Sequence, residues 1–447
     1  MDRISCLPDS ILCCILSYIP TKEAVTTSIL SRRWHHVWKD LQVFDLDYTP
    51  FLHSYHDEEW KAPFESYVNA ILTHRKADSY PIEKFRLTCG VVSEEAISTW
   101  LDAVIGPRLE ELYLHLTISD DDEIDEYSFT LPEGIFTCPS LMSLVLEGVI
   151  KLFDGPEVSI VYLPSLKNLE LQILFVDIDE LLSGCPALQN LKLDLQDSCF
   201  RIPKLQMPQT LKSLTFSELG FYYEWTEEIS LREIYTPSLE YLNLSINSLG
   251  GVATQVLVIN FPNMVEAHLS IAEQDENVDW VLLLLQALSE TKLLALKEFT
   301  TQCIFSAPDF KFPEFHRLLN LEVDVQCFNR SFLLNLLHSC HVLQHLVVNI
   351  SPFYKVELEY NGPAPPTMVP NCVTSHLKSF EYIGYEYSAD EREFIAYVLQ
   401  SGLVLKTVTI HLRSNLQAIK DDIVMKLSAI PRGSTMCQLN FIGQNPN

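Results

Sequence analysis

The sequence predicts an α/β chain: three short N-terminal helices, then an irregular solenoid of short parallel strands with helices and loops on its convex side, closed by a C-terminal cap. Three observations carry this reading. An apolar-x-x-apolar-x-apolar hexad recurs along most of the 447 residues, at a mean spacing of about 27, the range of a stacked repeat. Residues 1–40 instead place apolar side chains at helical spacing. Beyond residue 369, behind a proline-rich break, the pattern changes again.

At the N-terminus, Ile11, Leu12, Ile15, Leu16 and Ile19 fall at i, i+1, i+4, i+5 and i+8, one stripe of a helix opening near Pro8-Asp9-Ser10. Pro20 stops that helix, and Thr21 is expected to cap a second one carrying Val25 and Ile29. Ser31 is placed to cap a third, with Trp34, Val37 and Trp38 on one face. A unit this small cannot bury so much apolar surface by itself. Either the stripe packs on the rest of the chain, which periodicity alone favours, or part of it stays open as a docking surface. Phe64, Tyr67, Val68, Ile71 and Leu72 then mark a longer helix before the repeats.

Hexads start at Ile82, Leu109, Leu141, Leu166, Leu188, Leu211, Leu239, Met264, Leu296, Leu318, Leu343, Leu377 and Leu405, at intervals of 22 to 34 residues. The copies at Met264 and Leu296 are degraded, with Ala267 and Thr301 at apolar positions. Side chains three, five and seven of each copy should point away from the leucine core. Among them only Tyr113, Val145, Tyr241, Val347 and Ile383 are apolar or aromatic, which argues for one solvated strand face. A repeat cannot bury its own leucines, so stacking stabilises them. Residues 278–288 read as a short helix within the series. After Gly362-Pro363-Ala364-Pro365-Pro366 come two more hexads separated by a helix marked by Phe394, Tyr397 and Val398.

Charge and composition exclude several functions. There are 59 acidic and 31 basic side chains, for a net charge of −28. Residues 1–40 carry +1 and the remainder −29. Nucleic acid is therefore not an expected partner, since phosphate binding needs clustered cations. No Gly-x-Gly occurs, so dinucleotide and P-loop fingerprints are absent. The apolar runs Ile11–Ile19 and Trp280–Leu288 are too short for a bilayer, which takes about 20 residues. Twelve cysteines without a Cys-x-x-Cys pair suggest free thiols in a reducing compartment, cytoplasmic or nuclear.

His338, Cys340, His341 and His345 form the one metal-like grouping. Cys138, Cys185 and Cys340 all stand three residues before a repeat's first leucine, however, so Cys340 is expected as a small buried repeat residue. The run Asp120-Asp121-Asp122-Glu123 lacks the Gly-centred loop of a calcium site. No metal, cofactor or catalytic constellation is expected. The strand face is more informative. Glu111, Glu147, Glu170, Asp194, Glu266, Glu298, Glu322, Asp324 and Glu381 are opposed only by Lys84, Arg86 and Lys192. Either these groups simply keep the sheet soluble, or with Tyr113, Tyr241 and His268 they form a candidate face for a target protein of basic or polar surface.

Three resemblances add to this reading. Leu7-Pro8-Asp9-Ser10-Ile11-Leu12, then Ile15-Leu16-Ser17-Tyr18-Ile19-Pro20 and Ser28-Ile29-Leu30-Ser31-Arg32-Arg33-Trp34, closely resemble a plant F-box. The hexads resemble leucine-rich repeats, although the consensus Asn of the ninth position survives only at Asn247. Val369-Pro370-Asn371-Cys372, Leu377-Lys378-Ser379-Phe380 and Pro431-Arg432-Gly433-Ser434 resemble the FBD domain. The expected division is F-box 1–45, helical linker 46–80, repeats 81–360 and FBD 369–447. The F-box resemblance implies docking to a Skp-type adaptor, and through it to a cullin, in an SCF-type ubiquitin ligase. It assigns the contact to Leu7, Pro8, Ile11, Leu12, Ile15, Leu16, Ile19 and Pro20, with Val25, Ile29 and Leu30 in its second half. The chain would then be a non-catalytic substrate receptor. A protein-binding scaffold that does not promote degradation is the alternative.

Overall fold

Buried and half-exposed side chains alternate through nearly every hexad, and each of those hexads is a parallel strand. A computed structural model describes residues 4, 6–52, 58–76, 81–90, 92–117, 128–153, 160–175, 178–196, 207–219, 234–247, 258–272, 279–307, 310–351, 360, 362–364 and 367–443. The acidic run at 120–123 lies outside them. The chain divides into two compact units, Met1–Ile202 with Gln206–Leu211, and Pro203–Leu205 with Lys212–Asn447.

The first unit opens with three short helices, α1 (Asp9–Leu16), α2 (Thr21–Thr26) and α3 (Trp34–Val37). Thr21 does not cap α2 as the sequence suggested. Pro20 holds the cap position, and the Thr21 hydroxyl accepts the Asp45 backbone N–H at 2.7 Å, tying the helices to the first strand. That strand, β1 (Val43–Asp47), is followed by α4 (Lys61–Lys76), β2 (Lys84–Gly90), α5 (Glu94–Val104) and β3 (Glu111–Thr117). Then come β4 (Phe129–Thr130), α6 (Glu133–Phe136), β5 (Ser143–Lys151), β6 (Asn168–Phe175), α7 (Asp179–Ser183) and β7 (Asn190–Gln196). The sheet order is β1-β2-β3-β5-β6-β7, all parallel, with β4 on the end of β5. The sequence reading missed β1, whose hexad Leu41-Gln42-Val43-Phe44-Asp45-Leu46 fits the pattern but runs on from the third helix without a break. The helix expected around Phe64 is α4, with Phe64, Val68, Ile71 and Leu72 buried.

The second unit runs β8 (Ser213–Leu219), β9 (Ile234–Tyr235), β10 (Tyr241–Asn247), β11 (Val258–Asn260), β12 (Glu266–Ala272), α8 (Asp279–Ala287), β13 (Leu293–Leu296) and α9 (Glu298–Ser306). It continues with β14 (Asn320–Val325), α10 (Arg330–His338), β15 (His345–Ile350), α11 (Asn371–Ser375), β16 (Ser379–Tyr385), α12 (Ala389–Ser401), β17 (Thr407–Leu412), α13 (Lys420–Ser428) and β18 (Gln438–Gly443). Its parallel sheet is β8-β10-β12-β13-β14-β15-β16-β17-β18, and β9 pairs with β11 separately. The C-terminal segment thus continues the sheet of the repeats, with β18 as its edge strand. It supplies a third strand, β18, beyond the two hexads expected.

One expected copy is out of register. Leu296 ends β13 rather than opening a strand, and Glu298, Thr300 and Gln302 sit on α9. Pairing places Leu293 opposite Glu266 and Asn320, so the copy is headed by Thr291. This turns sequence intervals of 32 and 22 into 27 and 27. Thr291 hid the register because it is polar, yet it is buried and its hydroxyl donates to the Val265 carbonyl at 2.9 Å.

Candidate functional site

Two surfaces correspond to the sequence candidates. On the N-terminal helices the apolar stripe divides. Leu12 (0% exposed) and Leu16 (3%) face inward with Ala24, Trp34, Val37, Trp38 and Leu41. Ile11 (47%), Ile15 (45%), Ile29 (81%) and Leu30 (65%) face outward. Pro8 and Pro20 are exposed as well, while Leu7, Ile19 and Val25 are half-buried. Leu12 and Leu16 are therefore corrected from contact residues to core residues, because at i+4 they share the helix face that meets α3. Both original readings hold in part: one side of the stripe packs within the chain and the other is open. Tyr18 (84%) and Ile4 also stand outward and were not among the candidates. Tyr18 stands just past the end of α1, at i+7 from Ile11 and i+3 from Ile15, on the same outward side.

The geometry of this surface is fixed from below. The Arg33 guanidinium donates to Asp9 Oδ1 at 2.6 and 2.8 Å and to the Leu7 carbonyl, pinning the entry segment to the third helix. The Cys13 thiol donates to the Val37 carbonyl at 3.5 Å. Burial, then Asp40 and Asp9, push that thiol's pKa up, so it stays protonated. Lys22 lies over the Phe51 ring at 4.1 Å and donates to the Pro50 carbonyl.

The second surface is the solvated face of the strands. In the first unit Lys84 pairs with Glu111 at 2.5 Å, and Lys192 with Glu170 at 3.4 Å. Arg86 lies over the Tyr113 ring at 4.4 Å, and the Tyr113 hydroxyl donates to Glu147 at 2.7 Å. Burial, followed by that bond to Glu147, pushes the Tyr113 hydroxyl up to about 12. Burial likewise raises the Asp45 carboxyl against the pull of Arg86. Asp194 is half-buried at the end of this series.

In the second unit Glu266 meets His268 at 2.7 Å, and the His268 ring lies 5.7 Å from that of Tyr241. Glu322 and Asp324 share Lys297, at 3.7 and 3.3 Å, and Glu381 meets His411 at 2.6 Å. The face is less acidic than the sequence count implied. In the observed register Lys297 stands at the face and Glu298 belongs to α9.

The histidine grouping disperses. His341 pairs with Glu314 at 2.9 Å and stacks on His316, His345 bonds to the Ser379 hydroxyl at 2.6 Å, and the Cys340 thiol donates to the Leu336 carbonyl at 3.3 Å. Among the described residues no three His, Cys, Asp or Glu side chains converge as metal ligands, and no helix is long and apolar enough to cross a membrane.

Comparison with known proteins adds three matches along the chain. A model of the F-box domain matches residues 4–46, the LRR repeats of FBD-associated F-box protein At5g56370 match 97–266, and the FBD model matches 365–410. Among similar proteins of Arabidopsis thaliana, F-box/FBD/LRR-repeat protein At5g56810 is 30% identical over 98% of this chain and 96% of its own length. F-box/FBD/LRR-repeat protein At1g78750 is 28% identical over 98% of this chain and 96% of its own. F-box/FBD/LRR-repeat protein At4g26340 is 29% identical over 99% of this chain and its full length.

Proposed function

The chain belongs to the F-box/FBD/LRR-repeat family of plant proteins, and from that premise we propose that it is the substrate-recognition subunit of an SCF-type cullin–RING ubiquitin ligase. Its outward apolar residues would dock on a Skp-type adaptor, and the strand faces would hold a target protein. The observation that carries this reading is the divided stripe. Four large apolar side chains, Ile11, Ile15, Ile29 and Leu30, are held toward solvent by a unit whose other face is packed and pinned by Arg33. Exposing them is costly in a free chain and is explained by a partner that covers them.

The subunit works by proximity. Holding a target beside a ubiquitin-charged enzyme makes transfer effectively intramolecular, so this chain needs no nucleophile of its own. The faces carrying Glu111, Tyr113, Glu147 and Glu170 in one unit, and Tyr241, Glu266, His268, Glu322 and Asp324 in the other, are the proposed target-binding surfaces. Their remaining acidic excess favours polar or basic targets. The setting is cytoplasmic or nuclear.

Co-expression with a Skp-type adaptor tests this directly. The full chain is expected to elute with the adaptor as a 1:1 complex, and Ile11→Ser/Ile15→Ser/Ile29→Ser to elute without it. Retention of the complex by the folded triple variant contradicts the docking surface. Reconstitution with cullin, RING protein and a captured target separates receptor from scaffold. A target whose turnover ignores the triple variant favours the non-degradative scaffold.

A further inference from the structure

The lysines on the strand faces are paired with carboxylates, but at the opening end of the second unit's strands the cations are not. Lys292, Leu319, Gln344, Lys378 and Lys406 stand one residue before β13, β14, β15, β16 and β17. They form one row, each backbone N–H donating to the carbonyl of the member before it at 2.8–2.9 Å. Arg317 lies two residues ahead of Leu319. Lys292, Arg317, Lys378 and Lys406 are all exposed. Among the described residues none of the four forms an ion pair, and the Lys378 ammonium donates only to the neutral Gln344 amide, at 2.8 Å. The acids at this end are Glu314, held by His341 at 2.9 Å, Glu290 in the loop before Lys292, and Glu240 two strands away. Beside Lys406 the chain also exposes Leu403 and Val404, and Met436, two residues before β18, is exposed as well.

We propose that this end of the second unit is a docking surface for an acidic, amphipathic segment of a partner polypeptide, with Asp or Glu alternating with large apolar side chains. Strands about 4.8 Å apart set Lys378 and Lys406 side by side, with Lys292 three strands away, so a segment crossing the strand starts meets several cations in turn. Leu403, Val404 and Met436 give its apolar side chains a place to bury. A chain of net charge −28 repels acidic partners at long range. Screening over about 8 Å at physiological salt confines that repulsion, so the local row decides. A single-stranded nucleic acid fits less well, because the row offers no Phe, Tyr or Trp ring on which bases could stack.

The test uses the full-length chain, with fluorescence anisotropy of short labelled peptides repeating Glu-Asp-Leu-Phe, Gln-Asn-Leu-Phe or Lys-Arg-Leu-Phe. A poly-thymidine oligonucleotide and phosphatidylserine vesicles complete the set. The acidic peptide is expected to bind, its neutral and basic counterparts to bind at least about tenfold more weakly, and high salt to release it. Lys292→Glu/Arg317→Glu/Lys378→Glu/Lys406→Glu is expected to lower its affinity about tenfold or more at an unchanged thermal midpoint. The matching set of Gln substitutions lowers it in the same direction, and Lys297→Gln, whose cation is already paired, leaves it unaltered. Equal binding of the three peptides, no binding of the acidic one, tighter binding of the oligonucleotide or vesicles, or indifference to the charge substitutions overturns the proposal.

Discussion

Gly148 and Gly384 occupy the same position, the eighth, of their repeats, and both have positive φ, +94° and +82°. A Cβ at Gly384 would stand 2.5 Å from the Ile350 carbonyl oxygen, and one at Gly148 would strike that of Leu116. Gly384→Ala therefore meets the left-handed penalty of about 1–2 kcal/mol and a backbone clash as well. Calorimetry should show a lower melting temperature than for Gly106→Ala, where a Cβ has space. The buried thiols make a second prediction at this scale. Burial pushes Cys89, Cys185 and Cys372 up to about 12 and holds Cys340 well above its ordinary value. Because these folded pKa values exceed the unfolded value of 9.0, the unfolded state releases protons first as pH rises. Stability present below pH 9 is then lost at up to about 1.4 kcal/mol per pH unit for each thiol. Denaturant titrations from pH 8 to 11 should show that loss, with a shallower slope in Cys185→Ala/Cys372→Ala. A flat profile would contradict the burial.

Element by element, the strands were legible because leucine spacing and solvated alternation are both local signals. What was not legible depended on polar residues doing core work. Thr291 heads a repeat by bonding the Val265 carbonyl, and Thr300 on α9 accepts the Ile271 N–H at 2.8 Å and donates to the Leu269 carbonyl at 2.9 Å. Neither role shows in a hydropathy pattern. The apolar stripe of α1 was visible, but its division into inward Leu12 and Leu16 and outward Ile11 and Ile15 needed the position of α3. Helix α12 offers a test of the polar supports. Glu391 is buried, and its carboxylate accepts the Tyr382 hydroxyl at 2.9 Å and the backbone N–H groups of Ser388 and Glu386 at 2.8 and 3.1 Å. Glu391→Gln keeps the shape but turns one acceptor into a donor facing those N–H groups. It should cost about 1–3 kcal/mol, and Glu391→Ala more, in equilibrium unfolding.

At the scale of the whole molecule, the net charge of −28 is unevenly placed. The helical segment is near neutral, the strand faces pair their acids with lysine and histidine, and among the described residues unpaired cations collect at one end of the second unit. The acidic excess is legible in the sequence but most of its pairing is not, because partners such as Lys84 and Glu111, or Lys297 and Glu322, sit one repeat apart and only the parallel register brings them together. The inward half of the apolar stripe, Leu12 and Leu16, holds the fold, and the proposal gives its outward half, Ile11 and Ile15, to an adaptor. This division is tested most directly by measuring thermal midpoint and adaptor affinity together on two variants. Ile11→Ser/Ile15→Ser should keep the midpoint and lose adaptor binding by about tenfold or more. Leu12→Ala should destabilise the helical unit by about 2–5 kcal/mol, while any molecules still folded bind normally. Full adaptor affinity in the isoleucine variant, or an unchanged midpoint in the leucine variant, would contradict it.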